Sequence, residues 1–271
     1  MEYDPVKDRL EALITRMPLL RRLLFLVLRQ VFLREMEVRR QLRALKAGGM
    51  KPARILDAGT GFGQYTLFLR QLFPEAQILS VDIKQDYLDA MEGFCRAEAI
   101  TGVEFAFQDL LELEAEDRYD LILNVDVMEH IRDDVRVFAN FRRALRPGGV
   151  LVLHTPAVPE SRPQEDVEFR EGTYSVGEHV REGYKPSMME ERLARVGFGQ
   201  VSLKPTYGFW GGIAWRLLVR WPMAALSASF LLAPLVAIWM LLAFIPARLC
   251  NALELRLAKA TGGCMLVTAR P

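Results

Sequence analysis

The chain is poor in the residues that staple or metallate a fold. Its three cysteines, Cys95, Cys250 and Cys264, are odd in number and widely spaced. That excludes a disulfide framework and a Cys-x-x-Cys pair, and they read as buried thiols in a reducing compartment. Histidine occurs only at His130, His154 and His179. A net field is also missing: 35 Lys+Arg stand against 34 Asp+Glu, so nothing global favours nucleic acid as a partner. No small-residue cleavage site follows an apolar run after the acidic start at Glu2 and Asp4, and no secretory signal is expected.

What the chain does have in excess is apolar residues, 51% of its 271. The excess is concentrated in an N-terminal arm, residues 1–49, and in an insert, residues 208–261. The rest suffices for one large domain with its own core. In the arm, residues 5–47 predict one or two helices. Leu10, Leu13, Leu20, Leu24, Val27 and Val31 recur at helical spacing, and Pro18 marks a kink or boundary. Eleven Lys/Arg against six Asp/Glu over residues 1–47 give the arm +5. Two readings stand: a cap over the core with solvated arginines, or a helix lying on an anionic membrane surface.

After the linker Gly48-Gly49-Met50-Lys51-Pro52, strands and helices alternate. Strands are expected at 53–58, 77–82, 103–108, 120–126 and 149–155, with helices at 63–73, 85–98 and 133–145. Apolar strands alternating with helices imply a parallel sheet covered on both faces. Pro147-Gly148-Gly149 reads as a turn launching the fifth strand. Residues 157–185 form a polar loop segment, followed by a helix at 187–196 and strands at 199–205 and 263–269.

The first strand breaks into Asp57-Ala58-Gly59-Thr60-Gly61-Phe62-Gly63, a turn whose bare backbone can approach a ligand. Neither Lys nor Ser/Thr follows Gly63, which disfavours a phosphate-cradling loop, and Gln64 stands where a dinucleotide motif would place its packing glycine. Asp82 ends the second strand, Asp109 follows the third, and Asn124-Val125-Asp126-Val127-Met128-Glu129-His130 leaves the fourth. In this order the four motifs resemble the class I S-adenosylmethionine (AdoMet)-dependent methyltransferases, over residues 50–207 and 262–271. The acid-x-x-Glu-His form of the fourth motif is similar to enzymes that methylate quinone precursors and other lipid-like molecules. The resemblance implies a doubly wound α/β fold, Rossmann-like, with a seven-stranded mostly parallel sheet closed by an antiparallel hairpin.

It also implies roles. Asp57, Gly59, Thr60, Gly61 and Gly63 would serve the methionine end, Asp82 the ribose hydroxyls and Ile83 the adenine face. Asp109 and the Leu110 amide would reach the adenine edge, and Asn124 and Val125 would lie near the sulfonium. Asp57 and Asp109 also suit a helix cap and a turn. His130 is the candidate catalytic base, against an ordinary helix-start role. Some relatives bind a divalent cation with residues placed like Asp126, Glu129 and His130; no metal is assigned here. His154 and His179 read as structural hydrogen-bonding groups on the same rim.

Trp221–Ala247 carries no charge over 27 residues, long enough to be a membrane span. Pro222, Pro234 and Pro246 divide it into halves of about 12 residues, roughly 18 Å each as helix. If 199–205 and 263–269 pair, the insert leaves and returns at one sheet edge, which excludes a single crossing. The expectation is a re-entrant or interfacial helical hairpin bending near Pro234, on the cytoplasmic side of a membrane. Trp210, Trp215, Trp221 and Trp239 suit interfacial anchors. The function expected is AdoMet-dependent methylation of an apolar or lipid-like acceptor, with no nucleic-acid partner. The alternatives are a soluble methyltransferase of a polar small molecule or protein whose insert mediates oligomerisation, and a non-catalytic scaffold of the same fold.

Overall fold

The computed structural model describes residues 18–163 and 179–271; the arm before Pro18 and the centre of the 157–185 segment lie outside the described residues. Among the described residues two helices precede the sheet: α1 (Pro18–Val31) and α2 (Leu33–Ala47). The break between them falls at Phe32, in extended conformation. Pro18 is the first described residue of α1. Whether Pro18 is a kink or a boundary turns on residues 1–17, which lie outside the described residues.

The alternating segment runs β1 (Arg54–Ala58), α3 (Gln64–Leu72), β2 (Gln77–Asp82), α4 (Gln85–Ala97), β3 (Val103–Phe107), β4 (Tyr119–Val125), α5 (Asp134–Ala144) and β5 (Leu145–Pro156). Then come α6 (Pro186–Arg195), β6 (Gln200–Thr206), the insert, and β7 (Cys264–Arg270). The sheet order is β3-β2-β1-β4-β5-β7-β6. The first five strands are parallel, and β7 runs antiparallel between β5 and β6. One expectation is corrected: Pro147-Gly148-Gly149 lies inside β5, which already pairs at Leu145 with Tyr119, and the register slips between Tyr119 and Leu121. The three residues are absorbed by that irregularity, as bulges permit.

Strand residues alternate between two buried faces. Leu56, Ile122, Leu151 and Val267 pack with Phe138 and Phe141 of α5. Ile55, Leu121, Val152 and Leu266 pack with Phe68 and Leu69 of α3, and with Val38 and Leu42 of α2. Val38 and Leu42 are wholly buried, so α2 is one layer of the core. Complete burial of such side chains stabilises by about 1.5–3 kcal/mol each.

The insert is a helical hairpin. α7 (Phe209–Trp215) continues through a π-helical segment, Arg216–Arg220, into α8 (Trp221–Ala228). After a bend at Ser229 and a short 3-10 turn, α9 (Ala233–Arg256) returns. The bend thus falls just before Pro234. Pro222 and Pro234 occupy first turns, whereas Pro246 lies inside α9 without ending it. The expected division at Pro246 is therefore absent. Ala214, Leu218, Ala243 and Ala247 hold the two limbs together, with Val31 of α1 packed against them.

Arm and insert are anchored to the sheet by buried acids. The Glu37 carboxylate of α2 accepts from Lys204 Nζ in β6 at 2.7 Å and from Lys259 Nζ beyond α9 at 2.9 Å. Burial opposes its ionisation, but these two lysines hold its pKa below the usual carboxylate value. Glu254 accepts from the Gly208 and Gly211 amides at 2.6 and 2.9 Å, fastening the end of the hairpin to its beginning. Removing one partner of a buried ion pair leaves the other charge stranded. Replacing Glu37 with Ala is accordingly expected to cost about 3–5 kcal/mol in denaturant unfolding, and the same change at exposed Glu92 less than about 1 kcal/mol.

Candidate active site

Every strand carboxyl end in the parallel half of the sheet delivers a polar group to one rim, as open α/β sheets do at their ligand crevice. At the tip of β1, Asp57 is buried, and its Oδ2 accepts from Thr66 Oγ1 at 2.5 Å and Thr60 Oγ1 at 3.0 Å. Ser80 Oγ stands 2.9 Å from Thr66. Burial pushes the Asp57 carboxyl up to about 6, against the pull of the two threonines, with nearby Asp82 and Glu35 adding to the rise.

The turn that follows is shaped by glycine. Gly63 has φ 83°, and a Cβ there would lie 2.3 Å from Met91 Cε. Gly61, at φ 52°, has open space where a Cβ would point. Its amide donates to Asp82 Oδ2 at 2.9 Å, while the Lys84 amide donates to Asp82 Oδ1 at 3.0 Å. Asp82 is thereby held by two backbone groups, with each oxygen keeping acceptor capacity for a further donor. Beside it Ile83 is 58% exposed, an apolar face bare at a strand tip. Asp109 caps the 3-10 turn Leu110–Glu112 by accepting from the Leu111 amide at 2.9 Å. The turn role is present, and its second carboxylate oxygen is left over.

At the tip of β4, Asn124 is buried and donates to the Ala58 carbonyl at 2.8 Å, but its Oδ1 has no partner. A buried acceptor left unsatisfied is costly, and here it sits beside the glycine turn. Val125, half-buried, ends the strand. Asp126 then takes a left-handed φ of 52°, a conformation non-glycine residues adopt at a cost. The strain is held by strong partners. His154 Nδ1 lies 2.6 Å from Asp126 Oδ1, and Arg34 of α2 pairs with Oδ2. His154 Nε2 faces Thr206 Oγ1 at 3.2 Å. Burial works against the Asp126 charge, yet His154 and Arg34 outweigh it and hold this carboxyl well below the usual range.

Three residues on, Glu129 is buried and accepts from Thr155 Oγ1 at 3.2 Å. Burial, reinforced by the Asp126 charge, pushes its carboxyl far above the usual range. The His130 and His179 rings meet edge to face, 4.7 Å between centroids, and His130 Nδ1 is buried without a partner. Burial, then His130, lowers the His179 pKa. Glu129, His130 and His179 offer ligand atoms within 4.8 Å of one another. Asp126, by contrast, is already engaged by Arg34 and His154.

The sequence-derived positions therefore converge: Asp57, Gly59, Thr60, Gly61, Gly63, Asp82, Ile83, Asp109, Leu110, Asn124, Val125 and His130 all fall on β1–β4 tips or the turns just after them. His154 is fully buried in its bridge to Asp126, as its structural reading anticipated. What motif reading missed is the contribution of the arm and of the insert's root. Arg34 pairs with Asp126, and its amide donates to Tyr207 Oη at 3.2 Å. Glu35, wholly buried, lies near Tyr65, whose hydroxyl burial and this acid drive far above its ordinary pKa. No local motif marks an arginine 92 residues away as the partner of Asp126.

A family model described as a methyltransferase domain matches residues 50–192. Trans-aconitate 2-methyltransferase of Deinococcus radiodurans is 32% identical over 39% of this chain and 38% of its own. Malonyl-[acyl-carrier protein] O-methyltransferase of Xylella fastidiosa is likewise 32% identical, over 39% of this chain and 35% of its own. The aligned segments thus span little more than a third of these relatives. Haemonchus contortus phosphoethanolamine N-methyltransferase 2, solved with phosphomonomethylethanolamine and S-adenosylhomocysteine, superposes with a TM-score of 0.57 at 20% identity, over 85% of this chain and 52% of that one, a likeness of fold. With the family model covering more than half of its length, and the glycine turn, the β2 acid and the orphaned Asn124 acceptor grouped at one crevice, the chain belongs to the class I AdoMet-dependent methyltransferases.

Proposed function

We propose that the chain transfers the AdoMet methyl group to an apolar, lipid-like acceptor at the surface of a membrane. The observation that carries this reading is the naked apolar face of the hairpin. Leu231, Leu235, Ile238, Leu241, Leu242 and Ile245 are each more than half exposed, and the helical run Phe230–Arg256 is only 11% buried over its most apolar window. A contiguous surface of this kind is rarely left to water. It is rooted at Gly208, one residue after Tyr207, whose hydroxyl meets Arg34 above Asp126. From Phe230 to Ala247 the helical run carries no charge; those 18 residues rise roughly 27 Å, close to the hydrocarbon thickness of about 30 Å. Both ends of the insert return to the β6–β7 edge, which favours a monotopic, re-entrant seat on the cytoplasmic side.

Within the crevice, AdoMet supplies an electrophilic methyl group on a sulfonium that is already a good leaving group. The chain's work is therefore alignment, with proton removal added when the acceptor requires it. In this reading Asp82 takes the ribose hydroxyls through its spare acceptor sites, Ile83 covers the adenine face, and Asp109 with the Leu110 amide holds the adenine edge. Asp57, Asn124, Val125 and the Gly59–Gly63 backbone receive the methionine end, where Asn124 Oδ1 suits an ammonium donor. His130 takes the proton from a hydroxyl or activated carbon. Burial disfavours charge on His179 and on Glu129, while the Asp126 carboxylate is held by Arg34 and His154.

Incubating the protein with labelled AdoMet and a total lipid extract should yield a labelled lipid identifiable by mass spectrometry. Cofactor binding without any labelled lipid would move the reading to a polar acceptor and an insert used for oligomerisation. In calorimetry, Asp82→Ala is expected to weaken AdoMet by about 1–3 kcal/mol, and unchanged affinity would remove its ribose role. Asp57 gives a pH signature. Its folded-state pKa of about 6 exceeds the ordinary 3.8, so ionising it opposes folding. That penalty is absent below the ordinary value and complete above the folded one. Asp57→Asn should therefore be more stable than the wild type above pH 6, by up to about 3 kcal/mol, with the difference closing toward pH 4 in thermal unfolding. A pH-independent difference would show that the buried carboxylate is not the cause.

A further inference from the structure

A second cavity, of about 530 Å³, lies between the two arm helices and the α3 and α4 faces, well within the range of small-molecule sites. Arg22, Arg29, Arg39 and Arg70 line it, against one acid, Glu98. The four cations are not equally engaged. Arg22 pairs with Glu98. Arg39 pairs with Glu35 at 2.9 Å and lies over the Phe68 ring. Among the described residues Arg70 donates only to the neutral carbonyls of Pro74 and Ala76, at 2.5 and 3.2 Å. The Arg29 guanidinium has no hydrogen bond or ion pair with the described residues. Among the described residues, two positive charges therefore face this cavity without an anion to match them.

The rest of the lining is mainly apolar, interrupted by Gln64 and Gln71, with Phe25 and Phe94 in edge-to-face contact. Leu26, at its rim, is 48% exposed, and Leu23 and Val27 continue that bare strip along α1. At its far end α1 meets the hairpin through Val31. One helix thus carries an unmatched arginine, an exposed apolar strip and a contact with the apolar insert. We propose that this cavity is a binding site for the phosphate headgroup of an anionic glycerolipid, with Arg29 and Arg70 taking the phosphate and the Leu23–Val27 strip following the acyl chain. A convex acidic protein would meet the charges but leave the apolar floor and rim unused. The inference rests on the membrane reading above, and deepens it by giving the surface a lipid preference.

The test uses the full chain in two formats. Short-chain phosphatidic acid, kept monomeric, is titrated calorimetrically. Arg29→Ala is expected to bind it about fivefold more weakly, Arg29→Lys to restore most of that loss, and AdoMet affinity to stay unchanged. Flotation with phosphatidylcholine vesicles, with and without phosphatidic acid, then reads the surface. The variant should lose the gain that the anionic lipid confers while keeping its binding to neutral vesicles. Wild-type affinity in Arg29→Ala, or equal binding of inorganic phosphate, would overturn the lipid site. So would capture of an acidic carrier protein in place of the lipid. Monomeric lipid bound without any vesicle binding would leave the site standing and sink the membrane reading. Vesicle binding with an undiminished anionic gain in Arg29→Ala would do the reverse.

Discussion

The antiparallel seat of β7 between β5 and β6 is the constraint from which the rest follows. Thr206 stands opposite Cys264, so everything between them must depart from and return to one point of the sheet. That point is also where the rim of the crevice ends, since Thr206 meets His154, and His154 meets Asp126. At that point the hairpin's base and the crevice share side chains.

The arm completes the same junction from the other direction. Its α2 supplies core residues to one sheet face and, through Arg34, a cation to the β4 tip. Asp126 and Tyr207 both hold left-handed backbone, at φ 52° and 55°, and both are tied to Arg34. Two conformations that cost energy locally are thus tied to one residue through two long-range contacts. The chain positions its crevice with three separated segments, and only one of them lies wholly within the residues that match the family model.

This division explains what was legible in the sequence. The β1–β4 tips were readable because each polar residue there ends an apolar run, and alternation with helices fixes which end of the strand it occupies. The hairpin was readable from the uncharged run and from the paired strands flanking it. Pro246 misled because a proline inside a helix removes a single hydrogen bond and bends the axis, which packing of Ala243 and Ala247 against the opposite limb accommodates. Pro147-Gly148-Gly149 misled in a similar way, since turn residues also serve irregular strand registers. The Arg34 contact had no local signal at all: charge pairing across 92 residues is a property of the tertiary structure.

The place of α2 in the core bears on where this molecule can be cut. The family match begins at residue 50, and a fragment started there would look like a complete catalytic unit on paper. It would strip Val38 and Leu42 from the face formed by Tyr65, Phe68 and Leu121, and deprive Lys204 and Lys259 of Glu37. Trimming at that sequence border would yield an unroofed sheet and leave Lys204 without its acid and Lys259 with Glu254 alone, so the smallest autonomous folding unit starts at or before α2.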